Sequence, residues 1–265
     1  MKRRIISLLV ALSAALVVVS CSIKEDRSSC PCYLTLRFDE LSESDGSGSG
    51  LVTVHTDRII SQKQIMVHDY FGSGYEIVVP RRHVTVSCVS GLQEEDWYSD
   101  SLFVREGKEW GKIMLASESL DCKDDEYVLP MHFTKEFCTV TIEILGIPEE
   151  ELPSWKMRIK AFSCGIRMAE RMPLSGPYMV EADRDGNDPI YSVRVPRQEG
   201  YSMVLELADA DGAISCMDLG CLIQARGYDW TRADLDDIYV VVDYAHALVS
   251  VEIKRWNVND VDERI

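Results

Sequence analysis

The sequence predicts an all-β protein: two tandem β-sandwich domains behind an N-terminal targeting segment. Three observations carry that expectation. Short apolar or alternating runs recur along the chain, separated by Gly, Pro, Ser and Asp, which is the pattern of half-buried strands joined by turns. No long amphipathic helix rises above this strand signal. The runs also fall into two series, with a break near Phe133 before Phe137 opens the second.

The N-terminus is not part of either series. Lys2, Arg3 and Arg4 precede an apolar stretch over residues 5–19, and Ser20 stands directly before Cys21. An ordinary secretory signal ends in an Ala-x-Ala-like site, and a membrane-spanning helix needs about 20 apolar residues. This stretch is shorter and ends in a cysteine, the form of a bacterial lipoprotein signal. Residues 1–20 are therefore expected to be a signal peptide cleaved between Ser20 and Cys21. Diacylglycerol would be carried on the Cys21 thiol, with further acylation of the new α-amine. At about 0.8 kcal/mol per buried methylene, two or three acyl chains suffice for stable anchoring in a lipid bilayer. Residues 21–29 are polar and charged and read as a tether. Within them, Lys24, Glu25 and Asp26 look like the acidic export signals of surface-exposed lipoproteins.

The first series of strands begins at residues 32–38, where Tyr33, Leu34, Thr35, Leu36 and Arg37 alternate. Residues 42–50, rich in Ser and Gly, form a loop by composition. Runs at 51–55, 64–68, 75–79 and 83–88 follow, spaced as in an all-β sandwich. Residues 91–110 are polar and irregular apart from Trp97 and Trp110, and further short strands are expected at 112–116 and 126–129 before Pro130 ends the series. Residues 30–133 are taken as the N-terminal domain.

The second series, over residues 134–265, opens with the clear alternation of 137–145. It continues through 156–162, 190–195, 202–207, 238–243 and 248–253. Residues 146–153 and the proline-bounded 173–177 read as connections, 209–212 as a tight hairpin turn, and 230–237 as one or two helical turns. The cut near Phe133 leaves Cys30, Cys32, Cys88 and Cys122 on one side and Cys138, Cys164, Cys216 and Cys221 on the other. An even number in an exported chain permits disulfides without setting their pairing.

Composition narrows the function. With 28 Lys+Arg against 44 Asp+Glu, the formal net charge is −16. Loss of Lys2, Arg3 and Arg4 with a signal peptide makes it still more acidic. Such a chain is repelled by nucleic acid, so none is expected as a partner. No enzyme constellation is visible. His55, His68, His83, His132 and His246 are scattered, without His-Glu-x-x-His spacing, and Cys30-Pro31-Cys32 has too few intervening residues for a redox pair or zinc site. The acidic run 183–188 has its glycine at the wrong position for a calcium loop and lacks the closing glutamate. No catalytic residue, metal or cofactor is expected. A different role would use Trp97, Trp110, Trp155, Tyr228 or Trp230 as stacking platforms for glycan, which requires them to be exposed together.

Cys21 followed by Lys24, Glu25, Asp26 and Arg27, then Cys30-Pro31-Cys32 and Leu34-Thr35-Leu36, resembles the FimB-type fimbrium anchoring subunits. These are lipoproteins at the base of type V fimbriae. The far end is similar to the closing strands of fimbrillin-type C-terminal domains: 237–244, a break at Ala245-His246-Ala247, then 249–257. The resemblance implies two transthyretin-like β-sandwich domains. It also implies a lipid-anchored structural subunit on the outer surface of the outer membrane, contacting other fimbrial subunits through strands. Fimbrillins are thought to lose an N-terminal strand on activation. Here that strand is tied to Cys21, so an anchor would keep it and engage its neighbour elsewhere, with residues 248–256 completing its own sandwich and the polar tail 257–265 lying free or near the partner.

Overall fold

The computed structural model describes residues 30–38, 41, 49–92, 97–148, 150–186, 188–209 and 211–256. The signal peptide, the tether, most of the Ser/Gly loop and the tail beyond Trp256 lie outside the described residues, as do the side chains of Trp97 and Tyr98. In chain order the first strands are β1 (Pro31–Arg37), β2 (Ser49–His55), β3 (Ile59–Met66), β4 (Tyr75–Pro80), β5 (His83–Leu92), β6 (Trp97–Tyr98), β7 (Ser101–Phe103), β8 (Met114–Asp121), β9 (Glu126–Pro130) and β10 (Thr134–Lys135). After them come β11 (Phe137–Leu145), β12 (Lys156–Arg167), β13 (Met172–Glu181), β14 (Asp183–Arg184), β15 (Ile190–Pro196), β16 (Val204–Ala208) and β17 (Ile214–Met217). The helix α1 (Leu219–Ala225) then precedes β18 (Asp237–Asp243) and β19 (Leu248–Lys254).

The strands form sheets in the orders β4-β1-β9, β10-β8-β5-β2-β3, β14-β15-β11-β18-β19 and β17-β16-β12-β7-β6, with β13 paired to β12. Alternation explains the packing of the first two. Cys32, Leu34 and Leu36 of β1 point inward and are fully buried with Val52, Val54, Val84, Val86 and Cys88 in one core. The run at 51–55 is buried on both faces for a reason that lies elsewhere in the chain. Its second face carries Leu51 into another core, shared with Val89 and with Val140, Ile142, Ile159, Leu205 and Val240 of the last two sheets. Thr53 and Ser87 are likewise fully buried on it.

Most expected strands appear at or near their expected places, but several expectations are corrected. The segment 173–177, read as a connection, lies inside β13. Prolines are tolerated there because β13 hydrogen-bonds only to β12 among the described strands, with register shifts at Ala161/Ser163 and Ser163/Gly165. The helical turns expected at 230–237 are irregular turns. The helix stands earlier, at α1, where the Asp218 carboxylate accepts from the Cys221 backbone N–H at 2.9 Å and caps its start. The irregular stretch after Gly91 contributes β6 and β7, and β7 pairs with β12 across the position of Phe133. That pairing needs a glycine, because a Cβ on Gly165 would lie 2.1 Å from the Leu102 carbonyl oxygen. The hairpin turn expected at 209–212 joins β16 to β17, with Asp209 accepting from the backbone of Asp211 and Ala213. Of the acidic run, Asp183 and Arg184 form β14 and Asp185 and Asp188 stand in the turn that leads to β15, the Asp188 N–H donating to the Asp185 carbonyl at 3.1 Å.

Candidate functional site

Two terminal strands and a buried polar junction are the features that bear on assembly. Strand β1 is the middle strand of its sheet. It pairs antiparallel with β4, from Pro31↔Pro80 to Leu36↔Tyr75, and parallel with β9, from Tyr33↔Glu126 to Arg37↔Pro130. Its removal would strip two ladders and uncover Cys32, Leu34 and Leu36. Each buried leucine alone contributes about 1.5–3 kcal/mol. At the other end, β19 pairs with β18 from Asp237↔Lys254 to Asp243↔Leu248. Val251 is buried in the core and Val249 and Ile253 pack against it, while Ser250, Glu252 and Lys254 face solvent. Trp256 is held beyond it: its backbone N–H donates to Asp236 at 2.9 Å and its ring meets Phe137 edge-on at 6.4 Å.

Between the cores runs the link Thr134-Lys135-Glu136. The Lys135 ammonium is fully buried, donating to the Leu235 carbonyl at 2.9 Å and to Asp237 at 2.6 Å. It also stands 4.6 Å from the Phe137 ring centroid and 4.4 Å from that of Trp256. Glu136, also fully buried, receives Arg171 and Arg197, each at 2.6 Å, and the Thr134 hydroxyl at 3.0 Å. Its carbonyl accepts from the Trp110 indole at 2.9 Å. Arg197 continues the network to the carbonyls of Trp230, Arg232 and Ala233. Two charged residues adjacent in sequence thereby tie β10 to the β12–β13 turn, to the segment after β15 and to the start of β18. A buried ion pair is seldom a source of net stability, but one broken by removal of a single partner is costly. The sequence reading placed a break here and missed the network, because each partner is distant along the chain.

The predicted site residues Ser20, Cys21, Lys24, Glu25 and Asp26 lie outside the described residues. Of the aromatic side chains weighed as glycan platforms, Trp110, Trp155, Tyr228 and Trp230 are all buried in one core, and Tyr228 and Trp230 stack edge-on at 4.6 Å. The cysteines from Cys30 onward are thiols. Burial pushes the Cys138 thiol up to about 12, and burial together with the neighbouring Cys32 does the same for Cys122, so neither is a ready nucleophile. His55 is buried, and loss of solvent lowers its pKa against the opposing pull of Asp100 and Glu170. Among the described residues no group of His, Cys, Asp and Glu has the arrangement of a metal site, and no helix is long and apolar enough to cross a membrane.

Solved structures of candidate adhesins and of a fimbrial protein are similar to this architecture. A candidate adhesin from Bacteroides ovatus is similar at 15% identity and TM-score 0.59, over 88% of this chain and 95% of that one. A candidate polysaccharide-binding protein from Bacteroides thetaiotaomicron is similar at 11% identity and TM-score 0.61, over 86% and 99%. The fimbrial anchor protein Mfa2 from Porphyromonas gingivalis is similar at 12% identity and TM-score 0.58, over 86% and 98%. No family model and no curated protein matches the sequence. At these identities the likeness establishes the fold, and it is an all-β fold found in a fimbrial anchor, in line with the resemblance carried by the two ends of the chain.

Proposed function

We propose that this protein is a lipid-anchored cell-surface subunit that attaches a fimbria to the outer membrane. The carrying observation is the position of β1. It is the central strand of its sheet and the one joined, through residues 21–29, to the expected lipidation site at Cys21. A strand so placed resists both removal and pulling, which suits a subunit whose N-terminus is fastened to lipid and whose other surfaces bear load. In this reading residues 30–133 and 134–265 are two transthyretin-like units braced by the pairing of β10 with β8, by the Trp110 indole on the Glu136 carbonyl and by the pairing of β7 with β12. Lys24, Glu25 and Asp26 direct export to the surface, and the role is structural, without catalysis. Burial of four of the five aromatic residues named for glycan stacking argues against a sugar-binding module.

The test is Cys21→Ala with metabolic labelling by a palmitate analogue. The expected result is loss of label and release of protein and fimbriae from the membrane. Unchanged labelling and retention would refute the lipid anchor.

A further inference from the structure

Two cysteines stand together at the corner where β1 enters the fold. Cys32 is the second residue of β1, opposite Val79 of β4, and is fully buried. Cys122 follows directly after β8 and is 2% exposed in the same core. Backbone hydrogen bonds bring them there from both sides. The Cys122 N–H donates to the Arg82 carbonyl at 3.1 Å, and the Arg82 N–H donates at 2.8 Å to the carbonyl of Pro80, the residue beside Val79. The Tyr33 N–H, next to Cys32, donates to the Asp125 carbonyl at 2.8 Å. Inside this frame the side chains meet, and the Cys32 and Cys122 thiols are hydrogen-bonded to one another.

The cysteines elsewhere have other neighbours. Cys88 lies in the same core, where burial alone raises its pKa. The Cys138 thiol meets Tyr228, Cys164 donates to the Leu174 carbonyl at 3.7 Å, and Cys221 sits against Asp218. Two thiols in contact, in a chain whose N-terminus reads as an export signal, are placed for oxidation in a compartment that permits disulfides.

We propose that Cys32 and Cys122 are joined by a disulfide in the exported protein, an inference that needs the chain to leave the cytoplasm but not that it hold a fimbria. The oxidant is a disulfide donor. One cysteine thiolate attacks the donor, forming a mixed disulfide and releasing one donor thiolate. The second cysteine thiolate then attacks the first cysteine sulfur, forming the Cys32–Cys122 bond and releasing the other. The two cysteine protons end on the two donor thiols, so the cysteine pair is oxidised and one donor disulfide is reduced. In the folded chain both sulfurs are enclosed, and burial with the neighbouring Cys32 holds the Cys122 thiol up at about 12, so the exchange belongs to the folding chain, before the core closes. The finished bond fixes β1 to the β8–β9 connection at its second ladder pair, next to the point where a pull on residues 21–29 arrives.

The test purifies the protein from its source bacterium without reductant, unfolds it in guanidinium with N-ethylmaleimide to block free thiols, and maps its peptides by mass spectrometry. The expected result is a pair of peptides joined through Cys32 and Cys122 that a phosphine separates. Cys32→Ala, Cys122→Ala and the double variant give a second readout. Either substitution removes the whole bond and frees the loop 33–121, so all three should melt alike, at least about 10 °C below the wild type. Alkylation of both cysteines in the unreduced wild type, a link from Cys32 to any other cysteine, or melting of the variants within a few degrees of the wild type would overturn the bond. If the variants do not fold, the peptide map decides alone. Labelling at Cys21 tests the anchor separately: labelled protein with both thiols free refutes the disulfide only, whereas a joined pair in unlabelled protein refutes only the lipid anchor.

Discussion

Whether β19 belongs to its own sandwich or is on offer to a neighbour is decided by Val251→Asp. Val251 is 5% exposed and lies across from the fully buried Val240 in the β18 ladder. Replacing it forfeits the burial of a valine, about 1.5–3 kcal/mol, and places a carboxyl group among Ile142, Val240 and Val242. A polar group without a hydrogen-bond partner in such surroundings costs a further ~1–3 kcal/mol even when it protonates to avoid carrying charge. The expected loss is thus about 3–5 kcal/mol. In a chain of this size each kcal/mol moves the melting temperature by about 2–4 °C, so a fall of about 10 °C is expected. Ser250→Asp, one residue away and facing solvent, should change stability by about 0.5 kcal/mol or less. Thermal melts followed by near-ultraviolet circular dichroism report both. An unchanged melting temperature for Val251→Asp, with fimbriae lost from the cell, would show that β19 serves a partner and refute self-completion.

Glu136→Gln should leave the buried Arg197 guanidinium without its counter-charge and cost about 3–5 kcal/mol in urea unfolding; a loss below about 1 kcal/mol would mean that the junction is not an energetic link. His55 makes stability depend on pH. Unfolded, it gains its proton near its ordinary value of 6.5, whereas the folded ring resists protonation to lower pH, so the unfolded chain binds more protons in that window. Stability should fall as pH drops below 6.5, by at most about 1.4 kcal/mol per unit from this group, and the slope should flatten in His55→Gln; an identical profile in the variant would count against it. Replacing Lys24, Glu25 and Asp26 together with alanine should lower protease access on intact cells at constant lipoprotein level, and equal access would reduce the tract to a tether.

The strands most legible in the sequence are those with one face in a core and one in water, because alternation is a local property of the chain. The β11 segment Phe-Cys-Thr-Val-Thr-Ile-Glu-Ile-Leu and the β18–β19 hairpin could be read from their residues alone. The lipoprotein signal expected at Ser20, Cys21, Lys24, Glu25 and Asp26 rests wholly on sequence, since such signals are recognised as a linear string. Tertiary structure decided whatever depends on who meets whom. Strand β13 is a strand despite its prolines because, among the described strands, it pairs only with β12, and β7 joins β12 only where Gly165 lets two backbones close. Arg197 finds Glu136 across 61 residues and Lys135 finds Asp237 across 102. Trp110, Trp155, Tyr228 and Trp230, aromatic residues that sequence alone leaves open to a sugar or to a core, are placed in the core by folding. Pattern tells which face of a segment avoids water, but the surface that covers it comes from distant parts of the chain, and no local spacing encodes that choice.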